Sequence, residues 1–129
     1  MNQKSALDIQ QDGTHYKDMK MQPIELAYRV NGSPCFTKLA KYASRRKVDR
    51  LGDLKKAIHC IQLEKDLILR YDNRYEKLRV IEPFFHSSLC EFTEEGNLFS
   101  ALYHMYYSDY DLAIRSVENI IREEFPDEA

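Results

Sequence analysis

The sequence has few of the residues that break helices or cross-link chains. Gly and Pro occur only four times each in 129 residues, which argues against collagen-like chains, disordered chains and β-barrels rich in glycine turns. No apolar run reaches the roughly 18 residues of a membrane span, and the first residues lack the hydrophobic segment of a secretion signal. We therefore expect one cytoplasmic protein of ordinary domain size with no membrane partner.

Residue patterns typical of metal and nucleotide sites are also missing. The glycines are too far apart for a P-loop or a dinucleotide-binding fingerprint. The histidines have no H-x-x-x-H or C-x-x-C partners, and the pair Glu91 and Glu94 has no second acidic pair of the kind that all-helical nucleotide pyrophosphatases need. We therefore predict no metal site. The three scattered cysteines, Cys35, Cys60 and Cys90, are expected to be buried, reduced thiols.

Charge is distributed unevenly along a chain whose formal net charge is only −2. Residues 38–56 hold eight basic and two acidic residues, a local net charge of +6, whereas residues 82–129 hold two basic and eleven acidic residues, a local net charge of −9. The basic stretch is suited to a phosphate-bearing partner. Two other interpretations remain open: both stretches are solvated faces, or they attract each other across a subunit interface.

Apolar residues recur at spacings of three and four along most of the chain, which predicts a compact all-α fold of about five helices. The first helix is expected to begin at Pro23 and to end at Asn31-Gly32. The second helix is expected to begin after an N-cap at Ser33 and to extend to about Lys47.

The third helix is predicted to be the longest. Asp53 is expected to cap it, and its apolar pattern continues to about Arg79. Residues 82–97 are expected to form a connector with at most a short helical turn from Ser87 to Phe92.

Two further helices are predicted near the end of the chain, at 98–107 and 109–125. Ser108 and Asp111 have the spacing of a capping box for the last one. A group of tyrosines in this region is expected to serve as core or interface packing; it comprises Tyr103, Tyr106, Tyr107 and Tyr110.

These elements predict two units. Residues 1–80 would form a helical domain with a basic helix-loop-helix core, and residues 81–129 would form an appended acidic helical hairpin that packs on the same core.

Cationic side chains and a phenol share the solvent-facing side of the second predicted helix. Arginine offers a planar fork to phosphate oxygens, lysine a mobile charge, and tyrosine a ring on which a base can stack. Polar residues at the start of the third helix lie close by in sequence. The candidate ligand-binding residues from the two helices are Lys38, Lys41, Tyr42, Arg45, Arg46, Asp53, Lys56 and His59. A merely solvated basic face is the alternative interpretation.

Four short motifs occur in the order His15-Tyr16, Gln22-Pro23-Ile24-Glu25, Lys41-Tyr42-x-x-Arg45-x-Lys47 and Asp53-Leu54-Lys55-Lys56-Ala57. The pattern covers roughly residues 14–70 and resembles the small phage-encoded domain of the nucleotide-kinase-like (SaV-like) family. This resemblance implies a bacteriophage or prophage origin, a nucleotide ligand, and a location in the cytoplasm of the infected or lysogenic bacterial host. It also adds His15 and Tyr16 to the candidate site. The turn at residues 46–49 departs from the Gly-Lys-Lys-type turn that is common in the family.

Three functions are compatible with these observations. The first is capture of a nucleotide, or of a cyclic or ADP-ribose-type signal, by a homo-oligomer that needs no cofactor and acts against host defence. The second is a deoxynucleoside monophosphate kinase without a P-loop, which would use ATP and Mg²⁺ with Asp53 as its candidate catalytic residue. The third is an interaction protein whose acidic residues 82–129 bind a host protein. Reading of double-stranded DNA by the second helix is a minor variant of binding.

Overall fold

The structure is a computed structural model that describes residues 21–71 and 78–128. These residues form six α-helices and a short terminal 3₁₀-helix, without β-strands, so the prediction of an all-α fold is confirmed. The α-helices are Pro23–Val30 (α1), Pro34–Ser44 (α2), Arg50–Tyr71 (α3), Glu82–Phe92 (α4), Gly96–Tyr106 (α5) and Tyr110–Glu124 (α6). The 3₁₀-helix is Pro126–Glu128. No helix among the described residues combines the length and apolar character needed to cross a membrane.

The ends of α1 and α2 follow the sequence signals closely. Asn31 has φ 58° and ψ 47°, the left-handed conformation typical of a residue that ends a helix. Ser33 caps α2, since its hydroxyl accepts a hydrogen bond from the Phe36 amide at 3.1 Å. The second helix ends at Ser44 rather than near Lys47, because the chain already becomes extended at Arg45.

The region after α3 differs from the prediction. Residues 78–81 are not helical, so the third helix does not reach Arg79; residues 72–77 lie outside the described part of the chain. The expected connector at 82–97 contains a full helix, α4, which places Pro83 in its first turn. A proline suits that position because its fixed φ matches the helix and its missing N–H would have no partner there.

The capping box expected at the start of α6 is not formed. Ser108 has φ 63°, and Asp109 precedes the helix without a side-chain capping bond. The Ser108 hydroxyl instead accepts a hydrogen bond from the Arg79 guanidinium at 3.2 Å.

Two antiparallel hairpins make up most of the molecule. One consists of α2 and α3, the other of α5 and α6, and they meet through α3 with α6 and α2 with α5. α1 packs on α2 and α4, and α4 in turn reaches α5. All six helices contribute side chains to one hydrophobic core. The division of the chain near residue 80 into two units stays a prediction.

A cluster of aromatic rings lies in this core. The rings of Phe85 and Tyr106 stack with centroids 3.9 Å apart, and Phe36 meets Tyr106 edge-on at 5.8 Å. The Tyr106 hydroxyl donates a hydrogen bond to the Val30 carbonyl and accepts one from the Val80 amide at 2.9 Å. The packing role expected for the tyrosine group is therefore confirmed: Tyr106 is buried, and the other three pack partly buried against the core.

Two of the cysteines follow the expectation and one does not. Cys35 and Cys60 are buried, whereas Cys90 is exposed on α4. Cys90 is exposed because it lies on the outward side of α4, in a region that was expected to be a connector with at most a short helical turn. All three are free thiols.

Candidate functional site

The hairpin of α2 and α3 gathers five of the candidate residues into one surface. The Tyr42 ring lies at the centre, with the Arg45 guanidinium carbon 5.2 Å, the Lys56 Nζ 5.7 Å and the Lys41 Nζ 6.0 Å from its centroid. Asp53 lies at the edge of this group, 4.0 Å from the Lys56 Nζ. We call these five residues, Lys41, Tyr42, Arg45, Asp53 and Lys56, the Tyr42 face.

Helical spacing and one ion pair explain this gathering. Asp53 and Lys56 are three residues apart in the first turns of α3, so they share one face of that helix. Tyr42 lies near the end of α2, and the extended residue Arg45 follows the helix. The ion pair with Asp53 places the Arg45 guanidinium beside the Tyr42 ring. The antiparallel arrangement of α2 and α3 brings these residues together.

Arg45 and Asp53 form a bidentate ion pair. The Arg45 Nε donates to the Asp53 Oδ2 at 3.0 Å and its Nη2 donates to Oδ1 at 2.7 Å. Asp53 is only 3 % exposed. The hydrogen bonds from Arg45 lower the pKa of the Asp53 carboxyl below its usual value, against the opposing effect of burial. Both carboxylate oxygens are thus committed to Arg45, and the pair fixes the guanidinium beside Tyr42.

Asp53 does not cap α3, contrary to the prediction. The helix begins three residues earlier, at Arg50, and the Asp49 side chain accepts the capping hydrogen bond from the Gly52 amide at 3.1 Å. Asp49 and Asp53 are equivalent as sequence signals for a cap. Asp49 caps the helix, whereas the carboxylate of Asp53 is bound by Arg45.

The turn between α2 and α3 is supported by Arg50, which the sequence analysis missed. Its Nη1 donates to the carbonyls of Ala43 at 2.7 Å and Arg45 at 2.9 Å, two groups at the end of α2. Its Nε and Nη2 donate to the Glu124 carboxylate at 3.0 and 3.2 Å. No local signal could have identified this role, because Glu124 is 74 residues away in the sequence.

The remaining candidates lie at different distances from the Tyr42 face. The Arg46 Nη1 donates to Glu124 at 3.3 Å, on the side of the turn supported by Arg50. Lys38 is exposed one turn before Tyr42, and its charge partly offsets the effect of burial, which raises the pKa of the Cys60 thiol. His59 is exposed on α3. The candidates from the N-terminal motif, His15 and Tyr16, lie outside the described residues.

The Tyr42 face carries excess positive charge. Within residues 21–71 and 78–128, three cations and one carboxylate make up this face, a net charge of +2. Lys41 and Lys56 are exposed, and no carboxylate within the described ranges lies at ion-pair distance from the Lys41 Nζ. The two lysines therefore present positive charge to solvent at this face.

A groove of about 320 Å³ lies elsewhere, between α1 and the start of α2. Its lining is mostly apolar and includes Ile24, Ala27 and Tyr28. None of the candidate residues lines it. No group of three or more His, Cys, Asp or Glu side chains in the described part of the chain is arranged to hold a metal ion.

The Tyr42 face thus combines a fixed guanidinium, two mobile ammonium groups and an aromatic ring on one exposed surface. These groups suit charge-assisted hydrogen bonds to phosphate oxygens and stacking with a planar base. Comparison of the chain with protein-family models, curated proteins and solved structures returned no match.

Proposed function

We propose that the protein binds a nucleotide through the Tyr42 face. The observation that supports the proposal is the grouping of three cations within 6.0 Å of one tyrosine ring centroid, where Asp53 is the single carboxylate that the described residues contribute. Like charges held this close repel one another, and a bound phosphate would relieve the repulsion.

Each residue of the face has a role in this proposal. Lys41 and Lys56 hold the phosphate oxygens, because their ammonium groups are exposed and lie on opposite helices. Arg45 adds a charge whose position Asp53 fixes. Tyr42 supplies the apolar ring surface for the base or the sugar.

The geometry of Asp53 favours capture of the ligand over phosphoryl transfer. A kinase needs carboxylates that coordinate the Mg²⁺ of the ATP complex. Both oxygens of Asp53 accept hydrogen bonds from Arg45, and the side chain is only 4 % exposed. Coordination of Mg²⁺ by Asp53 would first require that ion pair to break.

In an infected cell, binding through the Tyr42 face would sequester a nucleotide signal. A protein that binds a nucleotide signal without altering it, encoded by a bacteriophage, lowers the free concentration of that signal in the host. Cyclic and ADP-ribose-type nucleotides are the ligands of this class, and they carry the phosphates and planar bases that the Tyr42 face suits.

The proposal is tested by incubating the full chain with Mg²⁺, ATP, deoxynucleoside monophosphates and cyclic or ADP-ribose-type nucleotides. Mass spectrometry then identifies what a filter retains with the protein, before and after heating. We expect an unmodified nucleotide that is retained in EDTA and released by heat. New di- or triphosphates would overturn capture in favour of the kinase. A mixture in which no nucleotide is retained and no new di- or triphosphate appears would overturn both.

Variants connect the retained ligand to the Tyr42 face. Lys41→Ala and Lys56→Ala should each weaken binding at least tenfold, since each removes a charge-assisted contact worth about 1.5–3 kcal/mol. Lys55→Ala is the matched control, because it removes the same charge from an exposed neighbour outside the face. Equal losses in all three variants would indicate bulk electrostatics and contradict a specific site.

A further inference from the structure

The outward side of α4 carries an imidazole and a thiol one helical turn apart. His86 and Cys90 are both exposed, and the His86 Nδ1 lies 3.7 Å from the Cys90 Sγ. The edge-on ring of Phe99 from α5, with its centroid 5.1 Å from that of the imidazole, holds the orientation of His86. The Nδ1 and Sγ atoms therefore lie side by side on the exposed side of α4.

This separation is the one that a single tetrahedral metal ion requires. Zn²⁺ binds sulfur at about 2.3 Å and nitrogen at about 2.0–2.1 Å, so two ligands at the tetrahedral angle lie about 3.6 Å apart. The observed 3.7 Å matches that distance without rearrangement of the helix. A hydrogen bond between a thiol and an imidazole has the same separation, and the exposure of both side chains leaves them accessible to a metal ion.

We propose that His86 and Cys90 are half of a zinc site, which the same two residues of a second copy of this chain complete. Structural zinc takes four ligands, and a Cys₂His₂ set is a common one. The described residues of one chain provide no third His, Cys, Asp or Glu at this point. A two-fold dimer, in which each copy contributes the same pair, supplies the missing ligands.

The surroundings of the pair fit close approach of two α4 helices. Pro83 and Ser87 precede Cys90 at spacings of seven and three, so they lie on the same outward side, and both are exposed. Neither side chain extends far from the helix. Glu82, four residues before His86 in the first turn of α4, is also exposed and adds negative charge to this side.

The pair escaped the sequence analysis because only the patterns H-x-x-x-H and C-x-x-C were considered. The mixed pattern H-x-x-x-C gives the same helical spacing, but it indicates a site only once residues 86–90 are known to form an exposed helix. On binding, the thiol releases its proton to solvent, the imidazole binds as the neutral base, and no oxidation occurs.

The test uses the full chain, reduced and stripped of metal, with Co²⁺ as a spectroscopic probe. We expect one Co²⁺ per two chains, with thiolate-to-cobalt charge-transfer absorption and the visible bands of a tetrahedral ion. Sedimentation velocity with Zn²⁺ should show a dimer that EDTA returns to monomer. Cys90→Ser and His86→Ala should abolish both the absorption and the zinc-dependent dimer, whereas His59→Ala, which removes another exposed histidine, should retain them.

Several results would overturn the proposal. One Co²⁺ per monomer, or unchanged absorption in Cys90→Ser, would show that the metal binds elsewhere or without a partner. A dimer that forms without metal and dissociates in a reducing agent would be linked by a Cys90 disulfide instead. Circular dichroism identifies any variant that fails to fold; because both side chains are exposed, we expect native spectra for each.

Discussion

The ion pair of Arg45 and Asp53 positions the guanidinium of the Tyr42 face, and removing one partner should lower the stability of the protein. Arg45→Ala leaves a buried carboxylate without its partner. We expect the free energy of unfolding to fall by about 2–3 kcal/mol, somewhat less than for a fully buried pair because the Arg45 side chain retains 18 % exposure. Urea denaturation measures the change. The double variant Arg45→Ala/Asp53→Ala should lose at least about 1 kcal/mol less than the sum of the single variants; strict additivity would contradict a coupled pair.

The same ion pair makes stability depend on pH in the acid range. The folded state lowers the pKa of Asp53 below its ordinary value of 3.8, so the folded protein binds fewer protons than the unfolded chain as the pH approaches that value. The stabilisation is present above pH 3.8 and is lost as the pH falls through the folded pKa. We expect the stability difference between wild type and Asp53→Asn to be largest near neutral pH and to shrink below about pH 4. Asp66→Asn is the control, because it removes an exposed carboxylate from the same helix, and it should change the stability at neutral pH by less than about 0.5 kcal/mol.

The sequence could predict placements that follow from helical periodicity, while the role of these residues in binding stays a prediction. Lys41 and Tyr42 lie outside the buried stripe of α2, as its pattern predicted, whereas Arg45 follows the helix in an extended conformation and reaches the Tyr42 ring through its ion pair with Asp53. What the sequence could not supply is the partner of each group across the fold. That Arg45 binds Asp53 and that Arg50 binds Glu124 depends on how α3 packs against α2 and α6.

The start of α3 shows how one residue can determine an element. A Cβ atom added at Gly52 would lie 2.2 Å from the Asp49 Oδ2, so the capping carboxylate and a side chain at 52 cannot occupy the same space. We expect Gly52→Ala to destabilise the protein, although alanine has the better helix propensity by about 1 kcal/mol. In the Asp49→Ala background, where the cap is already lost, Gly52→Ala should instead stabilise it. Thermal unfolding of the four proteins measures this reversal, and the same sign in both backgrounds would contradict the steric cause.

Helix boundaries were harder to predict than the helices themselves. Pro83 is equally compatible with the end of one helix and the beginning of the next, because the sequence signal is only that the helix before it cannot continue. In the structure Pro83 begins a helix, since it lies in the first turn of α4. Its buried residues Phe85, Leu89 and Phe92 recur at spacings of four and three, so the apolar pattern was present but was assigned to a connector.

Two buried carboxylates of α3 bind the two ends of α2 and so define how α2 is aligned along α3. Glu64 and Asp53 are both buried and lie eleven residues apart, about three helical turns, which places them on one side of α3. Glu64 accepts a hydrogen bond from Ser33 at the N-terminal end of α2, and Asp53 binds Arg45 at the other end. A shift of either helix by one residue would break both contacts, and this favours a single register of α2 on α3.

Across the whole molecule, the opposite charges of the two halves attract each other partly within a single chain. Arg46 and Arg50, from the basic stretch, bind Glu124 near the end of α6, and Lys65 lies 3.5 Å from Asp111. The sequence showed the asymmetry but left open whether it acted within or between chains. The contacts of Glu124 join the last helix to the turn between α2 and α3, next to the Tyr42 face.

Glu124→Gln tests that connection against a closely matched control. The substitution keeps the shape of the side chain but removes the charge that Arg50 and Arg46 share, and these bonds lower the pKa of Glu124 in the folded state. We expect a loss of about 1–2 kcal/mol in the free energy of unfolding, together with faster amide exchange at Lys47 and Val48 in the turn. Glu123→Gln makes the same charge change one residue earlier, at an exposed side chain whose oxygen accepts a hydrogen bond from the Asn97 side-chain amide at 3.3 Å, a bond that glutamine can retain. It should alter stability by less than about 0.5 kcal/mol. If the two variants lost equal stability, the cause would be the general reduction of negative charge, and the contacts of Glu124 with Arg46 and Arg50 would not specifically stabilise the turn.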